Sequence, residues 1–143
     1  MSRTTWTNIV VLAVAAFALA HCSGPPPPYA EVQAIFSRSC TVGMSCHGTA
    51  GVHGDLDLSP GLSFAALVRQ PSVLLPRVQR VNPGDPDGSW LIVKIEGTMS
   101  RYRECQQMPD ACGTRMPMVG GAALSPEDLS TLRRWIAGGA PGP

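Results

Sequence analysis

Lysine is nearly missing from this sequence, with Lys94 the single example in 143 residues. Charged residues of all kinds make up 15%, against a usual quarter, and eleven bases stand against ten acids. That balance supplies no cationic excess for a phosphate backbone, so nucleic-acid binding is excluded as an expectation. Alternating apolar–polar segments of strand type are almost absent, which argues against a β-sandwich. No apolar run approaches the roughly 20 residues that a membrane-spanning helix needs. Histidine is scarce too, at three residues. What the chain holds in quantity is 15 Gly and 14 Pro, which limit it to short helices joined by ordered loops. With 44% hydrophobic residues there is still enough apolar material for a core, and the length fits one domain.

The N-terminal stretch reads as an address rather than as part of that domain. Residues 1–8 carry one cation, Arg3, and no acid, and residues 9–20 are an unbroken apolar run of twelve. This length suits the core of a secretory signal. The run ends Leu19-Ala20-His21-Cys22, which resembles a bacterial lipoprotein signal with His21 where a small residue is usual. The resemblance implies that Cys22 is lipidated and becomes the mature N-terminus, with acyl chains giving about 0.8 kcal/mol per buried methylene. Pro25 to Pro28 would then form a stiff polyproline spacer. The expected organisation is a signal at 1–21, a tether at 22–28 and a folded domain at 29–143. The expected location is the periplasm or cell envelope, at a membrane reached through the lipid.

Five cysteines in an exported chain each need an account, because free thiols oxidise outside the cytosol. Beyond Cys22 they fall into two close pairs. Cys105 and Cys112, in CQQMPDAC, have no ligand cluster around them and are expected to form a disulfide that pins a surface loop, worth about 2 kcal/mol at most. Cys40 and Cys46 have three uses open to them: a second disulfide, thiolates for zinc, or thioether anchors for haem. Zinc is the weakest, since its cysteines usually lie two to four apart and a site needs four ligands. Haem is suggested by His47, which follows Cys46 directly, as the iron-binding His follows the second cysteine in C-x-x-C-H. Here the gap between the cysteines is five residues, and Gly43 and Ser45 would let the longer loop bulge outward.

A low-spin electron carrier needs a second iron ligand, most often Met, from well downstream. Arg115-Met116-Pro117-Met118 lies about seventy residues beyond His47, and Pro117 removes a backbone donor and restricts the loop. Met116 is the expected distal ligand, with Met118 and Met108 as alternatives. Arg115 is a candidate contact for a haem propionate. His53, six residues after His47, is too close in sequence to reach the opposite haem face easily and reads as a loop histidine. Asp55 and Asp57, in HGDLDLS, read as a solvated turn rather than as catalytic acids.

Periodicity points to an all-α class. Val32, Ile35, Phe36 and Cys40 form a helical stripe after Tyr29. Residues 61–70 predict a second helix with Leu62, Ala65, Ala66 and Leu67 on one face. Asp85-Pro86 reads as a cap and first-turn proline opening a helix through Trp90 and Ile95 to Gly97. Ser125-Pro126-Glu127-Asp128 opens a last helix, with Leu124 and Leu129 as a hydrophobic staple. Leu129, Leu132, Trp135 and Ile136 are its buried stripe, Arg133 and Arg134 its solvent face, and Gly138 to Pro141 its end.

Taken in order, YAEVQAIFSRSC, SCHG, NPGDPDGSWLIVKIEG, GTRMPMVGGAALSPEDL and LRRWIAGGAP resemble the single-haem cytochrome c domains of exported bacterial lipoproteins. The resemblance spans nearly all of residues 29–141 and departs from the family in the five-residue cysteine gap and the Cys105–Cys112 loop. It implies a small cytochrome c-like helical domain with long ordered loops and one covalent haem c. The thioether anchors would be Cys40 and Cys46, the iron ligands His47 and Met116. Its role would be electron transfer to a redox partner protein rather than catalysis. The competing expectation is a haem-free, disulfide-stapled envelope lipoprotein that acts as a binding module.

Overall fold

Helix α1 (Tyr29–Ser39) begins at Pro28, whose φ of −64° and ψ of 147° hold the chain extended up to the first helical turn. Glu31 in the first turn and Arg38 in the last match the helix dipole. The buried residues Tyr29, Val32, Ile35, Phe36 and Ser39 make one continuous stripe, so this face must pack against something. That partner is the last helix. The structure is a computed structural model describing residues 24–43, 46–48, 51–118 and 124–143.

The last helix, α6, spans Pro126–Ala137 and lies against α1. The Ser125 hydroxyl accepts the Asp128 backbone N–H at 3.1 Å, and Pro126 occupies the first turn, as the sequence predicts. Leu132, Trp135 and Ile136 are fully buried between the helices, and Leu124 and Leu129 pack at the edge of the same core. The Trp135 ring is tilted against Tyr29 at 5.6 Å, and Phe64 meets Tyr29 edge-on at 5.3 Å. Such pairs add to plain area burial. The Trp135 indole N–H donates to the Pro141 carbonyl at 3.0 Å, folding the C-terminal tail back onto the helix.

Helix α3 (Trp90–Glu96) also packs on α6 and divides the interior. Ile92 and Ile95 join the main core, whereas Trp90 and Val93 join a second cluster with Leu75, Val78, Cys105 and Cys112. The remaining helices are α2 (Ser63–Leu67), α4 (Arg103–Gln107) and α5 (Pro109–Cys112). The only sheet among the described residues is a hairpin of β1 (His47–Gly48) and β2 (Gly51–Val52). The chain is therefore mostly helical with little strand.

Five expectations are corrected. Asp85-Pro86 opens a turn, not α3: the Asp85 carboxylate accepts the Gly88 N–H at 2.8 Å, and Ser89 is then extended, so the helix starts at Trp90. A Cβ on Gly88 would collide with that carboxylate. The second helix is cut to five residues because Val68 turns extended and bridges Val81. Its inward face is Ser63 and Leu67, while Leu62 is half exposed. Arg133 does not point freely into solvent but pairs with both Asp87 and Glu96. The Cys105–Cys112 disulfide is not a surface clip: both residues are buried in the second cluster, on two short helices. Finally, the proline segment is not wholly a free spacer, because Pro27 is buried and Pro26 covers Gly138 at the end of α6.

Ser63 illustrates how a polar residue holds the core. Its hydroxyl is fully buried, bonded to the Tyr29 hydroxyl, and donates to Gln33 Oε1. Gln33 in turn donates to the Leu58 carbonyl at 3.0 Å. Ser63→Ala leaves two partners short of a hydrogen bond and is expected to lower unfolding free energy by about 1–3 kcal/mol. Arg38→Ala, which breaks an exposed ion pair to Asp128, is expected to cost less than about 1 kcal/mol. Urea denaturation of both variants measures the difference.

Candidate functional site

The end of α1 delivers Cys40 to the rim of the main core. Its backbone N–H closes the helix on the Phe36 carbonyl at 2.8 Å, and its side chain packs against the core cluster. From there the chain makes a loop and returns: His47 N–H donates to the Cys40 carbonyl at 2.9 Å. Gly48 passes so close to Thr41 that an added Cβ would lie 3.1 Å from the Thr41 carbonyl oxygen. The loop therefore has a narrow neck, closed by a backbone hydrogen bond and by the bare Cα of Gly48.

Within the loop, Gly43 takes a φ of +120°, which favours glycine, and its carbonyl accepts the Cys46 N–H at 3.2 Å. The Cys46 thiol turns back and donates to the Val42 carbonyl at 3.1 Å. Gly43 thus turns the loop, while residues 44–45 lie outside the described residues. Cys40 and Cys46 are both free thiols and both half-buried. The Cys40 thiol is pushed up to about 12, chiefly by burial and next by the nearby Cys46, with Arg38 opposing.

His47 begins β1 and is half-buried, with its carbonyl accepting the Leu58 N–H at 2.6 Å. Opposite it in the hairpin stands Val52, with Gly48 opposite Gly51. The strand was not expected from the sequence, where two residues on each side carry no readable alternation. It fixes the backbone of His47 on both edges. Cys40, Cys46 and His47 are thus brought to one neck.

Arg115 and Met116 stand on a different support, the last turn of α3. Met116 N–H donates to the Lys94 carbonyl at 2.9 Å, and Arg115 Nε donates to the Ile95 carbonyl at 2.8 Å. The Met116–Pro117 peptide bond is cis. Met116 is half-buried, whereas Met108 and Met118 are 60% and 55% exposed, which favours Met116 among the three. The Arg115 stem lies over Gly97, and its guanidinium is exposed beyond the one bond to Ile95. Asp57 accepts the Ser59 N–H at 2.8 Å, and hydrogen bonding by the Ser59 side chain first and this N–H second holds its carboxyl below the usual range. Cys22 and the side chain of His53 lie outside the described residues.

The donor types here, two thiols, an imidazole and a thioether, are those that hold a haem c. The backbone brings Cys40, Cys46 and His47 to one loop neck, and the half-buried Met116 stands apart on the strap tied to α3. Among the described residues no three His, Cys, Asp or Glu side chains cluster to hold a metal ion. Two contributors went unnoticed in the sequence. Gly48 was detectable as the glycine directly after the CH pair, but its closeness to Thr41 is a long-range fact. Lys94 reads only as a solvent-facing lysine on an amphipathic helix, although it is 8% exposed.

The thiol geometry has a chemical consequence in the unliganded protein. A thiol titrating near 12 has roughly one part in ten thousand as thiolate at pH 8, and only the thiolate attacks an alkylating reagent. Iodoacetamide at pH 8 is expected to label Cys46 well before Cys40, with unfolding in urea bringing the two rates together. Fragmentation of the one tryptic peptide that carries both thiols, residues 39–69, checks the order.

Compared with known proteins, the chain matches no family model, no curated sequence and no solved structure.

Proposed function

We propose that the chain is a one-electron carrier of cytochrome c type, holding a single haem c and working at the cell envelope. The observation that carries this reading is the contrast between the two cysteine pairs. Cys105 and Cys112 are bridged, while Cys40 and Cys46 are left as thiols beside each other, with His47 next in sequence. A disulfide-stapled binding module would call for both pairs to be bridged.

The residues that would hold the haem are Cys40 and Cys46 through thioether bonds, His47 on the proximal side and Met116 on the distal side. The iron would supply reversible one-electron chemistry. The chain's own work is to hold and shield. The neck closed by Gly48 and the hairpin holds the backbones of Cys40 and His47 together, which supports their use at one site. The Met116 sulfur is a soft ligand that favours the reduced state and raises the potential. The half-buried setting of both ligands limits water, which acts in the same direction. The Arg115 guanidinium, held at Nε and open at its other nitrogens, is suited to a propionate.

The same reading takes Cys22 as a lipid anchor and residues 22–28 as the tether, whose end at Pro26 and Pro27 lies on the domain. The partner is a redox protein that meets the carrier at the membrane surface. His47→Ala tests the ligand assignment. The expected result is loss of the low-spin visible spectrum with the protein still folded by circular dichroism; an unchanged spectrum sinks the assignment.

A further inference from the structure

We infer that the Cys105–Cys112 disulfide and Lys94 are positioning groups for the Met116 thioether. This rests on the reading of Met116 as an iron ligand given above. It assigns a role to a second cluster that otherwise looks purely structural.

The five residues 112–116 are fixed at both ends to α3. At one end Cys112 is buried, bonded covalently to Cys105 and packed beside Trp90 and Val93. Its carbonyl accepts the Lys94 ammonium at 2.8 Å. At the other end the carbonyls of Lys94 and Ile95, which a helix terminus leaves without partners, accept Met116 N–H and Arg115 Nε. Lys94 therefore ties the strap twice, by its side chain to residue 112 and by its backbone to residue 116. Gly97, at a φ of +74°, leaves room for the Arg115 stem, since a Cβ there would sit 3.0 Å from Arg115 Cδ.

The position of Lys94 is costly on stability grounds alone. It is the chain's only lysine, it is buried, and among the described residues no carboxylate pairs with it. Burying an ammonium against a single carbonyl is less favourable than an apolar side chain of similar volume. A fixed strap offsets that cost by ordering the Met116 segment before any ligand is bound. Fixing a ligand's backbone in advance lowers the entropy lost when its side chain engages.

The test uses the haem-loaded protein and reads competition for the iron by added imidazole, followed by the sulfur-to-iron charge-transfer band. Met116→Ala sets the limit for an unopposed site. Lys94→Met, close in shape but lacking the donor, is expected to bind imidazole about tenfold more tightly than the unaltered protein, as loss of one buried hydrogen bond implies. The same shift is expected of Cys105→Ser with Cys112→Ser, and the charge-transfer band weakens in both. If the paired serine variant fails to fold, Lys94→Met decides the matter alone. A lower melting temperature with imidazole affinity unchanged, while Met116→Ala binds more tightly, overturns the inference and leaves the ligand reading intact. Met116→Ala with the affinity of the unaltered protein overturns both.

Discussion

The packing of α1 on α6 around Trp135 is the constraint on which the rest depends. It fixes where α1 runs and therefore where α1 stops, and Cys40 is the residue at that stop. Once Cys40 is set at the rim of the core, the hydrogen bond from His47 to its carbonyl and the close pass of Gly48 over Thr41 bring Cys46 and His47 back to the same place. A core contact thus sets where the candidate site lies. The Tyr29–Ser63–Gln33 hydrogen bonds lock the start of α1 to α2 and keep this face from sliding.

The second cluster is organised around α3 in the same manner. Trp90 and Val93 face the disulfide, Ile92 and Ile95 face the main core, and the open carbonyls at the helix end hold the Arg115–Met116 strap. The two clusters carry the two halves of the proposed ligand set, with α3 between them. Arg133 adds a polar tie from α6 to Asp87, ahead of α3, and to Glu96, its last residue.

Legibility in the sequence followed how local each cause was. The cap at Ser125-Pro126 and the stripes of α1 and α6 were readable because all the groups involved lie within a turn or two of each other. The start of α3 was misread because Asp85-Pro86 satisfies the same local pattern whether a helix or a turn follows; Gly88, under the Asp85 carboxylate, decides for the turn. The inward face of α2 was misread because five residues are too few to show a period, and the buried position went to Ser63 for its bonds to Tyr29 and Gln33. The hairpin at His47 and the burial of the disulfide depend on contacts with distant segments, which no local window contains. The cysteine pairs and the Met-Pro motif were visible as candidates; that Cys40 and Cys46 stay unbridged, and that Met116 is the less exposed methionine, became visible only in the fold.

The central claim is covalent haem at Cys40 and Cys46. It is tested most directly by producing the protein alongside a cytochrome c maturation system and recording its mass after denaturation together with a pyridine haemochrome spectrum. The account predicts a mass increment of one haem that survives denaturation, with a haemochrome band at the position of two thioether bonds. A colourless protein of unmodified mass, with Cys40 and Cys46 joined as a disulfide, would contradict it.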